Sequence, residues 1–190
     1  TASHKQWCLI NSDGLRPTAR SGHSAVVARE SLYIFGGCGH PAELPHCSED
    51  GGETAVSEQA DDAMPICLGD LHVYDLARQR WSEVACHGGS HVVQPLERTC
   101  AAMCASEEED RLFLSGGAGD SPHDLRADLL EFDVRNRTWR LLYDGKNEAA
   151  APTTTAVAHL PKVCPCRRIG HSIVHDSARN RLVIFGGSTG

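Results

Sequence analysis

Short apolar runs separated by turn-forming clusters recur along this chain of 190 residues. They fall at residues 24–27, 32–35, 71–74, 101–104, 112–114, 129–132, 172–174 and 182–185, and further runs surround Trp81 and Trp139. Their brevity and their content of Val, Ile, Leu, Tyr and Phe predict β-strands, and no stretch of helical periodicity competes with them. Leu32-Tyr33-Ile34-Phe35 and Leu182-Val183-Ile184-Phe185 are apolar throughout rather than alternating. Both faces of those strands are therefore expected to be buried, as in a sheet packed between two others. With no crossover helices to support parallel pairing, stacked antiparallel sheets are the consistent expectation.

The runs are organised as a repeat. Arg20-Ser21-Gly22-His23-Ser24 precedes an apolar strand ending in Gly36-Gly37, and Arg168-Ile169-Gly170-His171-Ser172 precedes one ending in Gly186-Gly187. A worn copy keeps Arg98 and Gly116-Gly117 but loses Gly-His. A second element also recurs: Tyr74-Asp75 leads to Trp81, and Phe132-Asp133 leads to Trp139, with Asp and Trp six positions apart in both. The double Gly permits backbone angles and close approaches that side chains forbid. The aromatic residues supply large surfaces to fill the space between sheets.

A double Gly after an apolar strand, then an aromatic-Asp pair, then Trp, resembles the kelch repeat. The resemblance implies an all-β fold, a kelch-type β-propeller segment of four-stranded antiparallel blades in an incomplete ring, since propellers close with about four to eight blades. On this reading residues 1–15, with Trp7, end a preceding blade. Residues 20–84 form a blade with an acidic insertion at 38–69, residues 98–142 form another, and residues 168–190 supply the first two strands of a further one. The chain opens Thr1-Ala2-Ser3-His4 without Met or an apolar leader, so it is expected to be an excerpt carrying no signal peptide.

Antiparallel strands place alternate connections on opposite faces. The turns near 29–30, 77–80, 106–110, 135–138 and 177–180 are short. The loops at 38–69, 85–97, 118–127 and 143–167 are long and share the other face. Loops on a rigid scaffold are where binding residues concentrate. The partner-binding candidates on that face are Glu49, Asp50, Glu53, Glu58, Asp61, Asp62, His87, His91, Asp120 and His123. The residues assigned to the structural repeat are Arg20, Gly22, His23, Gly36, Gly37, Tyr74, Trp81, Arg98, Gly116, Gly117, Phe132, Trp139, Arg168, Gly170, His171, Gly186 and Gly187.

Charge sharpens this picture. The net charge is −7, which argues against nucleic acid or an anionic membrane as the main partner. The segment 38–69 holds seven acidic residues and no Lys or Arg, and the rest of the chain balances 18 acids with 18 bases. Its composition suits a solvated insertion; the functional alternative is an electrostatic docking loop for a basic protein. The tract Ala149 to Thr155 suits a spacer. No apolar run approaches the ~20 residues needed to cross a bilayer.

Nine cysteines without framework spacing suit reduced thiols in a cytoplasmic protein, although Asn136-Arg137-Thr138 is a glycosylation sequon. Neither the group Cys38, His40, His46 and Cys47 nor the pair Cys164 and Cys166 matches the spacing of a structural zinc site. His23 and His171 recur at one repeat position, which suits a structural role better than a single catalytic centre. Cys86-His87-Gly88-Gly89-Ser90 lacks the strand-to-helix setting of a phosphate loop. No catalytic residue, metal or cofactor is therefore expected. The function expected is that of a protein–protein interaction scaffold, as the kelch resemblance implies, rather than an enzyme. Two alternatives stay open: a galactose-oxidase-like secreted copper oxidoreductase fragment, and purely structural blades of a larger assembly. The copper reading needs tyrosines free to converge on a metal, and of Tyr33, Tyr74 and Tyr143 the first two lie in predicted core strands.

Overall fold

The computed structural model describes residues 7, 9–40, 64–85, 93–121, 123–145 and 165–189. Eleven strands form three sheets in chain order, with no α-helix among these residues. The first sheet contains β1 (Asp13–Gly14), β2 (Ser24–Ala28), β3 (Ser31–Gly39), β4 (Ile66–Asp75) and β5 (Arg80–Glu83), in the spatial order β1-β5-β4-β3-β2. The second contains β6 (Ala102–Ala105), β7 (Arg111–Ser115), β8 (Leu129–Asp133) and β9 (Thr138–Tyr143), paired in sequence order. The third pairs β10 (Ile169–Asp176) with β11 (Arg181–Ser188) across the 3₁₀ turn Ser177–Arg179. Sequential pairs are antiparallel, and no sheet closes on itself. The arrangement is consistent with part of a β-propeller.

Local chemistry sets these hairpins. Arg29 and Glu30 both adopt positive φ, 47° and 55°, the two-residue turn whose twist matches that of paired strands. Asp75 and Asp133 explain the fixed spacing to Trp. The Asp75 carboxylate accepts the backbone N–H groups of Ala77 and Arg78, and Asp133 accepts those of Arg135 and Asn136. Each side chain thereby closes its own turn. The turn ends in Gln79 or Arg137 at positive φ, and Tyr74 then pairs with Trp81, and Phe132 with Trp139, across the hairpin. The ring centroids lie 5.0 Å apart in both pairs.

The sequence reading ended the strands at the double Gly and opened a long loop at residue 38. Instead β3 continues through Gly36-Gly37 to Gly39, with a register irregularity between Phe35 and Gly37, and β4 begins at Ile66. The bulge absorbs the special backbone angles without ending the pairing. Asp13–Gly14 lies beside β5 in parallel, and Trp7 is fully exposed.

Burial follows the stacking. One core cluster joins Tyr33, Phe35 and Leu71 of the first sheet to Leu112, Leu114, Phe132 and Trp139 of the second. Phe35 meets Trp139 edge-on at 5.6 Å. A smaller cluster joins Phe113 and Cys104 to Ile173 of the third sheet, and Phe113 stacks on His175. Strand β7 is therefore buried on both faces, whereas the run 32–35 of β3, expected to be so, buries Tyr33 and Phe35 and leaves Leu32 and Ile34 half-buried. Strand β11 is not buried on both faces, because a sheet stands against only one of them; Phe185 is 82% exposed.

The sheets are joined by a recurring polar device centred on Arg. The Arg98 carbonyl accepts the Gly37 N–H of the preceding sheet at 2.9 Å, and the Arg168 carbonyl accepts the Gly117 N–H at 2.9 Å. Each guanidinium turns into its own sheet. Arg98 makes two parallel hydrogen bonds to the Asp128 carboxylate (2.7 and 2.8 Å) and donates to the Gly116 carbonyl. Arg20 treats Asp70 (2.6 and 2.9 Å) and Gly36 in the same way, and Arg168 donates to Gly186. The first Gly of the first two pairs must lack a side chain. A Cβ at Gly36 would lie 2.5 Å from the Arg98 carbonyl oxygen, and one at Gly116 would lie 2.6 Å from that of Arg168.

A parallel thread runs along the inner strands: Cys100 N–H donates to the Gly22 carbonyl and Gly170 N–H to the Cys100 carbonyl. Cys100 thus fills the position of Gly22 and Gly170, and like them it has positive φ (55°).

Among the described residues Arg98 is the bulkiest side chain buried to this degree, 1% exposed, so its charge depends on Asp128. The substitution Asp128→Ala is expected to lower unfolding free energy by about 3–5 kcal/mol, because it strands a buried guanidinium; denaturant titration measures it. Arg98→Lys is expected to recover only part of the pair, since an ammonium cannot make the two-pronged contact. By contrast Cys100→Gly is expected to leave stability unchanged or raise it by up to about 1 kcal/mol, because Gly takes the left-handed conformation without a Cβ penalty. A loss greater than that would show that the Cys100 side chain is needed there.

Candidate functional site on the long-loop face

The loop face begins where β3 ends and β4 begins, and continues into the loop 118–127 of the second sheet. The Asp120 carboxylate accepts the Cys67 backbone N–H at 2.7 Å, tying that loop to the first sheet. Within the loop, Gly119 N–H donates to the Asp124 carbonyl, and Arg126 N–H to the Gly117 carbonyl. The Arg126 guanidinium pairs with Asp124 at 2.8 Å and donates to the Glu97 carbonyl at 3.3 Å. Arg168 N–H then donates to the Arg126 carbonyl. Residues from all three sheets thus share one hydrogen-bonded edge, with Asp120, His123 and Asp124 exposed on it.

Of the ten partner-binding candidates, the described residues include Asp120 and His123. Asp120 has a structural duty as well, through Cys67. His123 is exposed and its backbone N–H meets the Ser121 hydroxyl. Glu49, Asp50, Glu53, Glu58, Asp61, Asp62, His87 and His91 lie outside the described residues, as do His46, Cys47, Cys164 and the tract 149–155.

Most of the repeat residues come together between and within the sheets, although His23, the counterpart of His171, is exposed. His171 is buried, with its ring against Gly116 of the preceding sheet. Burial, and secondarily the charge of Arg168, lower its pKa, which favours the neutral ring. Tyr33 and Tyr74 are both buried in the first sheet, and desolvation raises the Tyr33 pKa. Among the described residues no three His, Cys, Asp or Glu side chains converge as metal ligands would.

Asp70 and Asp128 carry roles that the sequence reading missed. The available signal was an Asp at the same place in two repeats, each in a unit opened by an Arg. Their separations from that Arg differ, 50 residues in one and 30 in the other, so no fixed spacing reveals the pair. Asp70 also accepts a hydrogen bond from His72 at 2.8 Å. Burial alone would raise the Asp70 carboxyl; hydrogen bonds from His72 and then Arg20 outweigh it and hold the group well below the usual carboxylate range.

Fold and sequence together define an all-β chain of repeats, in which repeat residues join sheets and the loop 118–127 is hydrogen-bonded to Cys67, Glu97 and Arg168. Comparison with known proteins agrees at low identity. The chain is 27% identical over 183 residues to the host cell factor homologue of Caenorhabditis elegans, covering 96% of this chain and 18% of that protein. It is 26% identical over 183 residues to human leucine-zipper-like transcriptional regulator 1, covering 96% of this chain and 17% of the relative. It is 27% identical over 143 residues to acyl-CoA-binding domain-containing protein 4 of Arabidopsis thaliana, covering 73% and 18%. Host cell factor and the leucine-zipper-like regulator are kelch-repeat proteins. The chain spans less than a fifth of the length of these three relatives. No family model matches it. Among the described residues no helix is long and apolar enough to cross a membrane.

Because the folded pKa of Asp70 is depressed, its stabilising contribution is present above the ordinary carboxylate range, about pH 4, and is lost as pH falls below it. Denaturant titrations from pH 7 downwards are expected to show stability falling across and below that range. In Asp70→Asn the fall is expected to be shallower, from a lower starting stability. An identical pH slope in the variant would remove Asp70 from the account.

Proposed function

We propose that this chain is part of a kelch-type propeller that acts as a protein-interaction scaffold, with the long-loop face as its docking surface. The observation that carries the reading is the shared edge itself. Asp120, Arg126, Glu97 and Arg168 link loops from successive sheets into one pre-organised surface, while the repeat residues are occupied in holding the sheets together. Rigidity in the free state lowers the ordering cost of binding, and loops carried on such a scaffold are free to vary. The excess of acidic residues at 43–62 adds attraction for a basic surface on the partner. A binding role without catalysis, in the cytoplasm and away from nucleic acid and membrane, completes the proposal.

The test is proximity labelling in cells with the full-length protein, comparing it with a variant lacking residues 47–62 and with the double variant His123→Ala, Asp124→Ala. Loss of the same specific neighbours in either variant is expected. If both variants keep every neighbour, and only substitutions on the short-turn face, such as Arg137→Glu, remove them, the docking surface lies on the opposite face and the proposal fails.

A further inference from the structure

Cys38 and Cys67 stand opposite each other on β3 and β4, with their sulfur atoms 3.4 Å apart. Their pairing is of the closer kind. Cys38 N–H and C=O both bond to Ser21 on its other side, and the Cys67 N–H is taken by Asp120. The two cysteines are therefore a non-hydrogen-bonded pair, for which Cα atoms lie about 4.5 Å apart. That value falls inside the window of roughly 4.4–6.8 Å that a disulfide spans. Closing the remaining gap needs side-chain rotation and no change of register.

We propose that Cys38 and Cys67 form a reversible thiol–disulfide site that clasps the ends of β3 and β4 in response to a low-molecular-weight disulfide. Cys38 is the partly exposed member and Cys67 the buried one, which fixes the order of events. The Cys38 thiolate attacks one sulfur of the small disulfide, breaking its S–S bond, forming a mixed disulfide and releasing one small thiolate. Cys67 then attacks the Cys38 sulfur and expels the second small thiol. The Cys67 thiol, which lies against the Ala118 carbonyl at 3.8 Å, gives up its proton to the departing thiolate. Two protein thiols are oxidised and one small disulfide is reduced to two thiols. Burial, then hydrogen bonds with Cys38 and Asp120, push the Cys67 thiol up to about 12. Cys67 is thus a poor first nucleophile but is placed to resolve an adduct already on its neighbour. The new bond would close the 29-residue separation between the two cysteines into a covalent ring.

The experiment equilibrates the full-length protein with defined ratios of reduced and oxidised glutathione, blocks remaining thiols with a maleimide, and maps peptides by mass spectrometry. In the wild type, a linked peptide pair containing Cys38 and Cys67 is expected to rise with the oxidised fraction and vanish on reduction. In Cys67→Ser, the reaction is expected to stop as a glutathione adduct on Cys38. In Cys38→Ser, Cys67 is expected to stay unmodified. The proposal is overturned if both cysteines of the wild type remain fully alkylated at every ratio. It is equally overturned if the first adduct forms on Cys67, or if both thiols resist alkylation until a chelator is added, the behaviour of a metal site. The wild-type map decides the matter even if a variant folds poorly.

Discussion

A buried guanidinium can be kept only where its charge and its donors are all matched, and that demand organises this molecule. Arg98 sits at the meeting of two sheets with two carboxylate oxygens and two backbone carbonyls around it. Its own carbonyl lies against a glycine of the sheet before. Side chain and main chain of one residue therefore serve different sheets. The apolar faces of Phe35, Leu114 and Trp139 supply the burial that drives stacking, but apolar contact is non-directional. The Arg joint is what fixes one sheet at one angle and one height relative to the next. It also accounts for the double Gly: the first position must let the neighbouring carbonyl approach, and the second must donate to it.

Much of this was legible in the sequence because the signals are local. The aromatic-Asp-Trp spacing follows from one Asp closing one short turn, so Asp75 and Asp133 announce the hairpins they make. The double Gly announced a close approach, though not that the strand would run on through it to Gly39. What lay hidden depends on partners brought together over variable distances. Asp70 and Asp128 meet their arginines across loops of unequal length, and a spacing that changes leaves no motif. The pairing of Cys38 with Cys67 depends on strand register, and register beyond the bulge is set by the backbone geometry of Gly36-Gly37. At the candidate site, the sequence named Asp120 as a surface residue but gave no hint that it would be held by a backbone amide of the neighbouring sheet.

The two faces are held by different means. On the short-turn face the backbone N–H of Arg29 bonds to the Glu109 carboxylate, and the Ser177 hydroxyl bonds to Glu107. On the long-loop face the ties run through Asp120 and Arg126. Each joint is thus pinned at both ends, with the Arg between them. This arrangement lets loop length and charge change without disturbing the stack, which is the condition a binding surface needs if it is to diverge while its support stays fixed.

The joint also has a direction. The amide that reaches out belongs to Gly37 or Gly117, and the carbonyl that receives it belongs to Arg98 or Arg168, always later in the chain. During synthesis from the N-terminus, a finished sheet therefore waits with an unsatisfied donor until the first residues of the next unit have left the ribosome. In each of these two joints, the amide of one unit finds its protein acceptor only in the opening residues of the next.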